Sequence, residues 1–294
     1  MAVADVNGLE ISYEIIGDGE QTWALTPGGR FSKDYGGVRE LAQGLAATGR
    51  RVLIWDRPNC GASSVSFQGS TESSLQADTL AALVRQLELG PAVIAGGSGG
   101  SRVSLLTVAR NPDIATGLAM WWISGGVFGL MVLGTYYCGG SIEAAWKYGM
   151  ERVVELPEWQ EVLERNPGNR ERFLALDRHE FIRDLERWMA AYAPPVAGQT
   201  IPGIPDEDIT AAITVPTIVF RSGASDPAHP RATSEAVAAL IPQAKLLEPP
   251  WGDREWIERG ERRDAPGESL FRSWPKLVPQ LAEFGDTVRG DEVG

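Results

Sequence analysis

The chain has 294 residues and a formal net charge of −12, with no lysine- or arginine-rich arm. That length suits one large domain with a sizeable core and an inserted subdomain, and the acidic balance argues against nucleic acid as a partner. The arginines near residues 165–187 and 254–263 are interleaved with carboxylates, the pattern of solvated helix faces.

Val3–Val6 and Glu10–Ile16, separated by Asn7-Gly8, read as a hairpin. Thr22–Thr26 is a predicted strand that runs into Pro27-Gly28-Gly29-Arg30. A helix is expected from Tyr35 to Thr48, with Val38, Leu41, Leu45 and Ala46 on one face. Arg51–Trp55 is the next strand, closed by Asp56-Arg57-Pro58-Asn59-Cys60-Gly61-Ala62-Ser63, and a helix follows from about Glu72 to Leu89. Ala92–Ala95 suits a buried parallel strand, and Val103, Leu106 and Arg110 begin the next helical period. Such alternation with short connections predicts an α/β fold with a mostly parallel, doubly wound sheet.

From Ile114 to Ile142 there is no charged residue, which imitates a membrane span. The segment holds glycines and follows directly on a strand–helix unit, so Gly117–Ser124 reads as the next buried strand and Val127–Tyr137 as an apolar pocket wall. Residues from about 125 to 212 are mainly helical, including an expected helix over Glu171–Tyr192, with breaks at Pro194-Pro195 and at Pro202 and Pro205. Alternation then resumes with a strand at Val215–Ser222, a helix at Arg231–Leu240, a strand at Lys245–Glu248 and a closing helix within Leu270–Val288. The organisation is therefore a core of residues 1–124 and 213–294 with a helical cap of residues 125–212. A cap of this kind lies over the C-terminal edge of the sheet, where open α/β sheets bind ligands.

Between the Ala92–Ala95 strand and the helix after it stands Gly96-Gly97-Ser98-Gly99-Gly100, a G-x-S-x-G nucleophile elbow. A strand turning sharply into a helix crowds its neighbours, and glycine at positions 96 and 100 relieves that crowding. The Ser98 hydroxyl then stands exposed at the strand's carboxyl end above the helix N-terminus. A phosphate cradle is the competing reading. The dinucleotide spacing from Gly97 fails at Arg102, and no Gly-Lys-Ser/Thr follows. A plain tight turn is the other alternative.

Taken together, Gly96–Gly100, Pro27-Gly28-Gly29 and Asp56-x-x-x-x-Gly61-x-Ser63 make the chain resemble the α/β-hydrolase family over nearly its whole length. The resemblance implies the α/β-hydrolase fold and a serine nucleophile at Ser98. Relatives acting on haloalkanes or epoxides place aspartate at the elbow, so the serine disfavours that chemistry. The resemblance also implies an oxyanion hole built from the N–H of Gly99 and that of Gly29 or Arg30, with a glycine turn of no ligand role as the alternative for the Gly28-Gly29-Arg30 loop. A serine hydroxyl needs a base, and N–H donors aimed where oxygen charge develops. Family members carry a histidine just after the last strand, but here Asp253 occupies that place in Pro249-Pro250-Trp251-Gly252-Asp253. An ordinary aspartate is a feeble base for serine.

The chain has two histidines. His229 follows Ser225-Asp226-Pro227-Ala228 in the loop after Val215–Ser222, the loop that in this family carries the triad acid. It is the candidate base, against a helix-start or packing histidine. Asp226 is the candidate acid, although three residues along a turn is a tight reach, and Asp253 or Glu255 are alternatives. His179, in Leu176-Asp177-Arg178-His179-Glu180, reads as a solvated helix residue, with a cap histidine reaching the serine as the minor alternative. Asp56 and Ser63 read as loop-shaping. Arg30 and Arg102 lie beside the hole, either as ion-pair partners or as holders of a substrate carboxylate or carbonyl. Trp122, Phe128 and Tyr136, near Trp121 and Tyr137, point to an apolar substrate pocket, with core packing as the alternative for the tryptophans.

The expected function is a serine hydrolase that cleaves an ester, lactone or amide of a small, largely apolar molecule through an acyl-enzyme on Ser98. The alternatives are a C–C bond hydrolase or lyase on the same fold, and a non-catalytic ligand-binding member. No metal or organic cofactor is implied: Cys60 and Cys138 lack metal-like spacing, and with two histidines a zinc site would have to rely largely on carboxylates. The expected partner is a small-molecule substrate, with no nucleic acid and no membrane; the oligomeric state is left open. The opening residues lack a basic stretch before an apolar one, and Cys60 and Cys138 lie far apart, so a reducing cytoplasmic location is expected.

Overall fold

The structure is a computed structural model and describes residues 2–193, 196–262 and 269–291; the Pro194-Pro195 break lies outside them. Among the described residues one sheet is formed by β1 (Ala2–Val6), β2 (Leu9–Ile16), β3 (Thr22–Thr26), β4 (Arg51–Trp55), β5 (Ala92–Gly97), β6 (Ala115–Trp121), β7 (Thr217–Phe220) and β8 (Ala244–Leu247). Its spatial order is β1-β2-β4-β3-β5-β6-β7-β8. The β1–β2 hairpin turns at Asn7 and Gly8, both at positive φ, and β2 pairs antiparallel with β4. All pairings from β4 through β8 are parallel, as the alternation predicts.

The central strands are buried on both faces, and their side chains sort by the two-residue period. Trp23, Leu25, Val52, Ile54, Val93 and Ala95 pack on one side, against α1 (Val38–Ala46). Ala24, Leu53, Ile94, Leu118 and Met120 pack on the other, against α2 (Glu72–Gln86) and α3 (Gly99–Arg110). Between β6 and β7 the chain runs through α4 (Val127–Gly134), a π-helical turn (Thr135–Gly139), α5 (Gly140–Tyr148), α6 (Met150–Val153), α7 (Pro157–Arg165), α8 (Gly168–Leu174), α9 (Arg178–Ala190) and α10 (Asp206–Ala212). Most of these helices share a separate apolar cluster around Trp159, Phe173, Phe181 and Trp188, into which Phe67 reaches. After β7 come α11 (Arg231–Leu240), α12 (Glu255–Arg262) and α13 (Val278–Asp291).

Three expected elements differ. The single helix over 171–192 is two, because the Asp177 carboxylate caps α9 by accepting the N–H groups of His179 and Glu180, each at 2.9 Å. The helix expected from Tyr35 begins only at Val38. Gly37 sits at φ 94°, and a side chain there would meet the Phe271 carbonyl at 2.0 Å. β6 stops at Trp121 because Trp122 turns to φ 51°. The uncharged 114–142 stretch folds as β6, α4, the π-helical turn and the start of α5. No helix among the described residues is long and apolar enough to cross a membrane.

Candidate active site

Ser98 stands between β5 and α3 at φ 56° and ψ −125°, a conformation costing a non-glycine residue about 1–3 kcal/mol. The turn is held by the Ser98 N–H to the Trp121 carbonyl, 3.1 Å, and by Ser101, whose N–H and hydroxyl both donate to the Ser98 carbonyl. The flanking glycines are needed for space. A Cβ on Gly100 would lie 2.2 Å from the Thr26 carbonyl oxygen, and one on Gly96 2.5 Å from that of Gly100. The elbow therefore projects the hydroxyl into the space above the sheet's carboxyl edge.

His229 meets it there. Its Nε2 is 2.9 Å from Ser98 Oγ, and its Nδ1 is 2.8 Å from Asp226 Oδ2. The three-residue reach closes because the other carboxylate oxygen, Oδ1, accepts the N–H groups of Ala228 and His229 at 3.0 Å each. This turn swings the ring back over the carboxylate that orients it. Both side chains are buried. The loop also presses on the start of the helical insertion, where Gly125 donates its N–H to the Ala228 carbonyl. A Cβ on Gly129 would stand 2.9 Å from that carbonyl oxygen.

The alternatives stand elsewhere. Asp253 is exposed and pairs with Arg231, and its carbonyl accepts from Ser225, so it stitches the two loops together at the surface. Glu255 accepts from the Ser273 hydroxyl at 3.0 Å and lies 3.6 Å from Arg259 Nε. His179 is exposed on α9 against Trp146 and lines no cavity with Ser98.

Opposite the imidazole, Gly28 packs so closely that a Cβ there would touch the Ser98 Cβ at 3.0 Å, and the Gly29 nitrogen lies 3.3 Å from where a Gly99 Cβ would be. Among the described residues the N–H groups of Gly29 and Arg30 donate to no backbone carbonyl, and that of Gly99 opens α3, where no intrahelical acceptor exists. These free donors border the hydroxyl, the arrangement an oxyanion requires. Arg57, fully buried, fixes their loop by donating to the carbonyls of Gly28, Gly29 and Phe31 at 3.1, 2.6 and 3.3 Å. Beneath them the Asp56 carboxylate accepts from the N–H groups of Lys33 and Ala62, and the Ser63 hydroxyl donates to the Asp56 carbonyl, both loop-shaping. The Arg30 side chain forms an ion pair with Glu72 at 3.1 Å and stacks on Trp159. Arg102 donates to the Pro202 carbonyl at 2.8 Å.

A cavity of about 450 Å³ opens over Ser98 and is lined by Phe31, Trp122, Tyr136, Trp256, Phe271 and His229, among others. Trp122 and Tyr136 both line it. Phe128 is a correction: it is 65% exposed on α4 and does not line the cavity. Besides Trp122, the uncharged run contributes Leu133, Tyr136 and Tyr137 to the wall, further along the chain than Phe128.

Sequence reasoning misses Trp256 and Arg259, which the α12 helix brings to His229. Their i, i+3 spacing on a charged helix is the one signal available. The Arg259 guanidinium lies over the rings of Trp122 and Trp256 at 4.2 and 4.5 Å and is 3.8 Å from Asp226 Oδ2. Burial lowers its proton affinity and pushes the Glu255 carboxyl up. The two cysteines are buried and unpaired, with thiols pushed up to about 12 by burial, which leaves them unreactive near neutrality.

Residues 23–283 match the model of the alpha/beta hydrolase family. The chain belongs to that family. No curated protein matches this alpha/beta hydrolase in sequence. Among solved structures it is similar to the enol-lactonase from Burkholderia xenovorans, at 20% identity over 96% of this chain and 99% of that one, TM-score 0.58. It is similar to a meta-cleavage product hydrolase from Pseudomonas fluorescens, at 18% identity over 98% of each chain, TM-score 0.62. A thermophilic esterase from Thermogutta terrifontis is 20% identical over 98% of each chain, with TM-score 0.61. At such identities the shared feature is the fold.

Proposed function

We propose that this hydrolase cleaves a carboxylic ester, lactone or amide of a small, largely apolar molecule through an acyl-enzyme on Ser98. The observation that carries the reading is the continuous chain from Ser98 Oγ to His229 Nε2, 2.9 Å, and from His229 Nδ1 to Asp226 Oδ2, 2.8 Å. His229 takes the hydroxyl proton as Oγ adds to the carbonyl carbon, and the oxygen charge is received by the N–H groups of Gly29 and Gly99. His229 then returns the proton to the leaving oxygen or nitrogen as its bond to carbon breaks. A water attacks the acyl-serine by the same route, which releases the acid and restores Ser98. Asp226 keeps Nε2 free to accept and stabilises the imidazolium. Residues 125–212 act as a cap, and the unpaired cysteines fit a cytoplasmic location.

A fluorophosphonate probe is expected to label Ser98, located by peptide mass spectrometry, and Ser98→Ala is expected to abolish hydrolysis of 1-naphthyl acetate. An unlabelled Ser98, or full turnover in Ser98→Ala, would remove the basis of the proposal. Turnover of β-diketones or dienols with esters ignored would redirect it to C–C bond cleavage.

A further inference from the structure

Ser98 does not open into one space. Besides the cavity of about 450 Å³, it borders a second of about 30 Å³, lined by Gly99, Ser101, Arg102, Leu130, Tyr192 and Ile201 among others. His229 lines the first and not the second, and Gly99, with its N–H at the start of α3, lines the second and not the first. That asymmetry bears on how an ester must lie.

In the tetrahedral intermediate the former carbonyl carbon holds Ser98 Oγ, the oxyanion, the leaving oxygen and the acyl carbon. The proton that frees the leaving oxygen comes from His229 Nε2, so the leaving group lies on the side that His229 lines. The oxyanion faces the N–H groups of Gly29, on the first space, and Gly99, on the second, so it sits at their junction, and the acyl substituent points to the remaining side, into the second space. We infer that this hydrolase is selective for esters of a short acid, acetyl or propionyl, with a bulky apolar or aromatic alcohol. The inference rests on the serine reading above and adds which end of the substrate is large.

The sizes fit that division. A space of 30 Å³ takes about two waters' worth of volume, hence one or two carbon atoms. Its walls are closed: Leu130 and Ile201 are each 3% exposed. Arg102 lines it too, with a guanidinium that donates to the Pro202 carbonyl and has no carboxylate partner among the described residues, a poor neighbour for an alkyl chain. On the other side Phe31, Trp122, Trp256 and Phe271 present aromatic surface to a large alcohol.

An isomeric pair tests the assignment, because 2-phenylethyl acetate and ethyl phenylacetate have the same atoms and similar alkoxide leaving groups, with the ring on opposite sides of the ester. We expect kcat/KM for 2-phenylethyl acetate to exceed that for ethyl phenylacetate by about 100-fold, the scale of forcing extra methylenes into a packed wall. Ile201→Ala and, separately, Leu130→Ala are expected to narrow that ratio about tenfold by raising turnover of the phenylacetate. Either variant suffices if the other fails to fold. With Ser98 labelled by the fluorophosphonate, an equal or reversed preference, or no turnover of the acetate, overturns the assignment. Failure of the labelling itself would instead count against the serine reading.

Discussion

Replacing Asp226 by asparagine separates two jobs that the structure gives one carboxylate. Oδ1 accepts the N–H groups of Ala228 and His229 and so builds the turn, while Oδ2 faces Nδ1 of the imidazole at 2.8 Å. Asparagine can keep its carbonyl oxygen on both N–H groups, which places its NH₂ opposite Nδ1. A donor facing Nδ1 forces the ring proton onto Nε2, and the nitrogen that should accept from Ser98 is then occupied. The expected loss in kcat is about 10⁴-fold, roughly 5.5 kcal/mol of transition-state stabilisation. Stability should change by no more than about 1 kcal/mol, because the backbone hydrogen bonds survive. Asp226→Ala should lose activity to a similar floor and, with the turn unpinned, also cost about 2–3 kcal/mol of stability. Steady-state hydrolysis of 1-naphthyl acetate, with Ser98→Ala as the floor, gives the first quantity, and urea unfolding gives the second. An asparagine variant within tenfold of the unmodified enzyme would refute the role of Asp226 and send the search for the acid elsewhere.

Two further outcomes follow from charge placement. Arg259 stands 3.8 Å from Asp226 and 3.6 Å from Glu255, whose carboxyl is pushed up by burial, a shift that Arg259 opposes; in Arg259→Gln that carboxyl loses the opposing cation, and the acidic limb of kcat/KM should move to higher pH. An unmoved limb with a lower plateau would make Arg259 a wall residue only. Burial pushes the Asp34 carboxyl up, but hydrogen bonds from Lys33, Arg39 and Arg165 outweigh it and hold the group well below the usual carboxylate range. A depressed folded-state value contributes stability above the unfolded value of about 4 that is lost as pH falls, so the gap in melting temperature between the unmodified enzyme and Asp34→Asn should be widest above about pH 5 and narrow toward pH 3. A gap independent of pH would contradict that linkage.

The sheet and its order of elements are legible in the sequence because buried parallel strands are short apolar runs and the helices between them are amphipathic. The elbow is legible because steric demand at positions 96 and 100 leaves glycine little competition. His229 is legible by elimination, as one of two imidazoles and the one on the catalytic edge. What was hidden lies in side chains whose meaning depends on contacts far along the chain. Arg57 reads as one more loop arginine until three carbonyls converge on it. Arg259 and Trp256 sit on a helix so charged that its pattern announces a solvated face, yet one edge of that face closes over the imidazole. Phe128 failed for the opposite reason. In a helix apolar all round, composition does not say which side faces the cavity.

A triad is defined by distances among three groups, and the chain order of those groups is free. The family ordinarily spends two loops on acid and base; in the proposed assignment both, Asp226 and His229, come from the loop after β7. That economy has a steric condition: a ring only three residues beyond its acid must be pressed inward against the elbow. The uncharged segment after β6 meets the condition, since side chains at Gly125 and Gly129 would collide with Thr233 and with the Ala228 backbone. The glycines that make this stretch a poor membrane span are thus the ones that admit the loop carrying His229. The loop after β8, which holds no histidine, keeps Asp253 at the surface with Arg231 and passes into α12, which sets Trp256 and Arg259 over the imidazole. On the proposed assignment, the displaced base and the aromatic wall around it are therefore two consequences of a single exchange of roles between these loops.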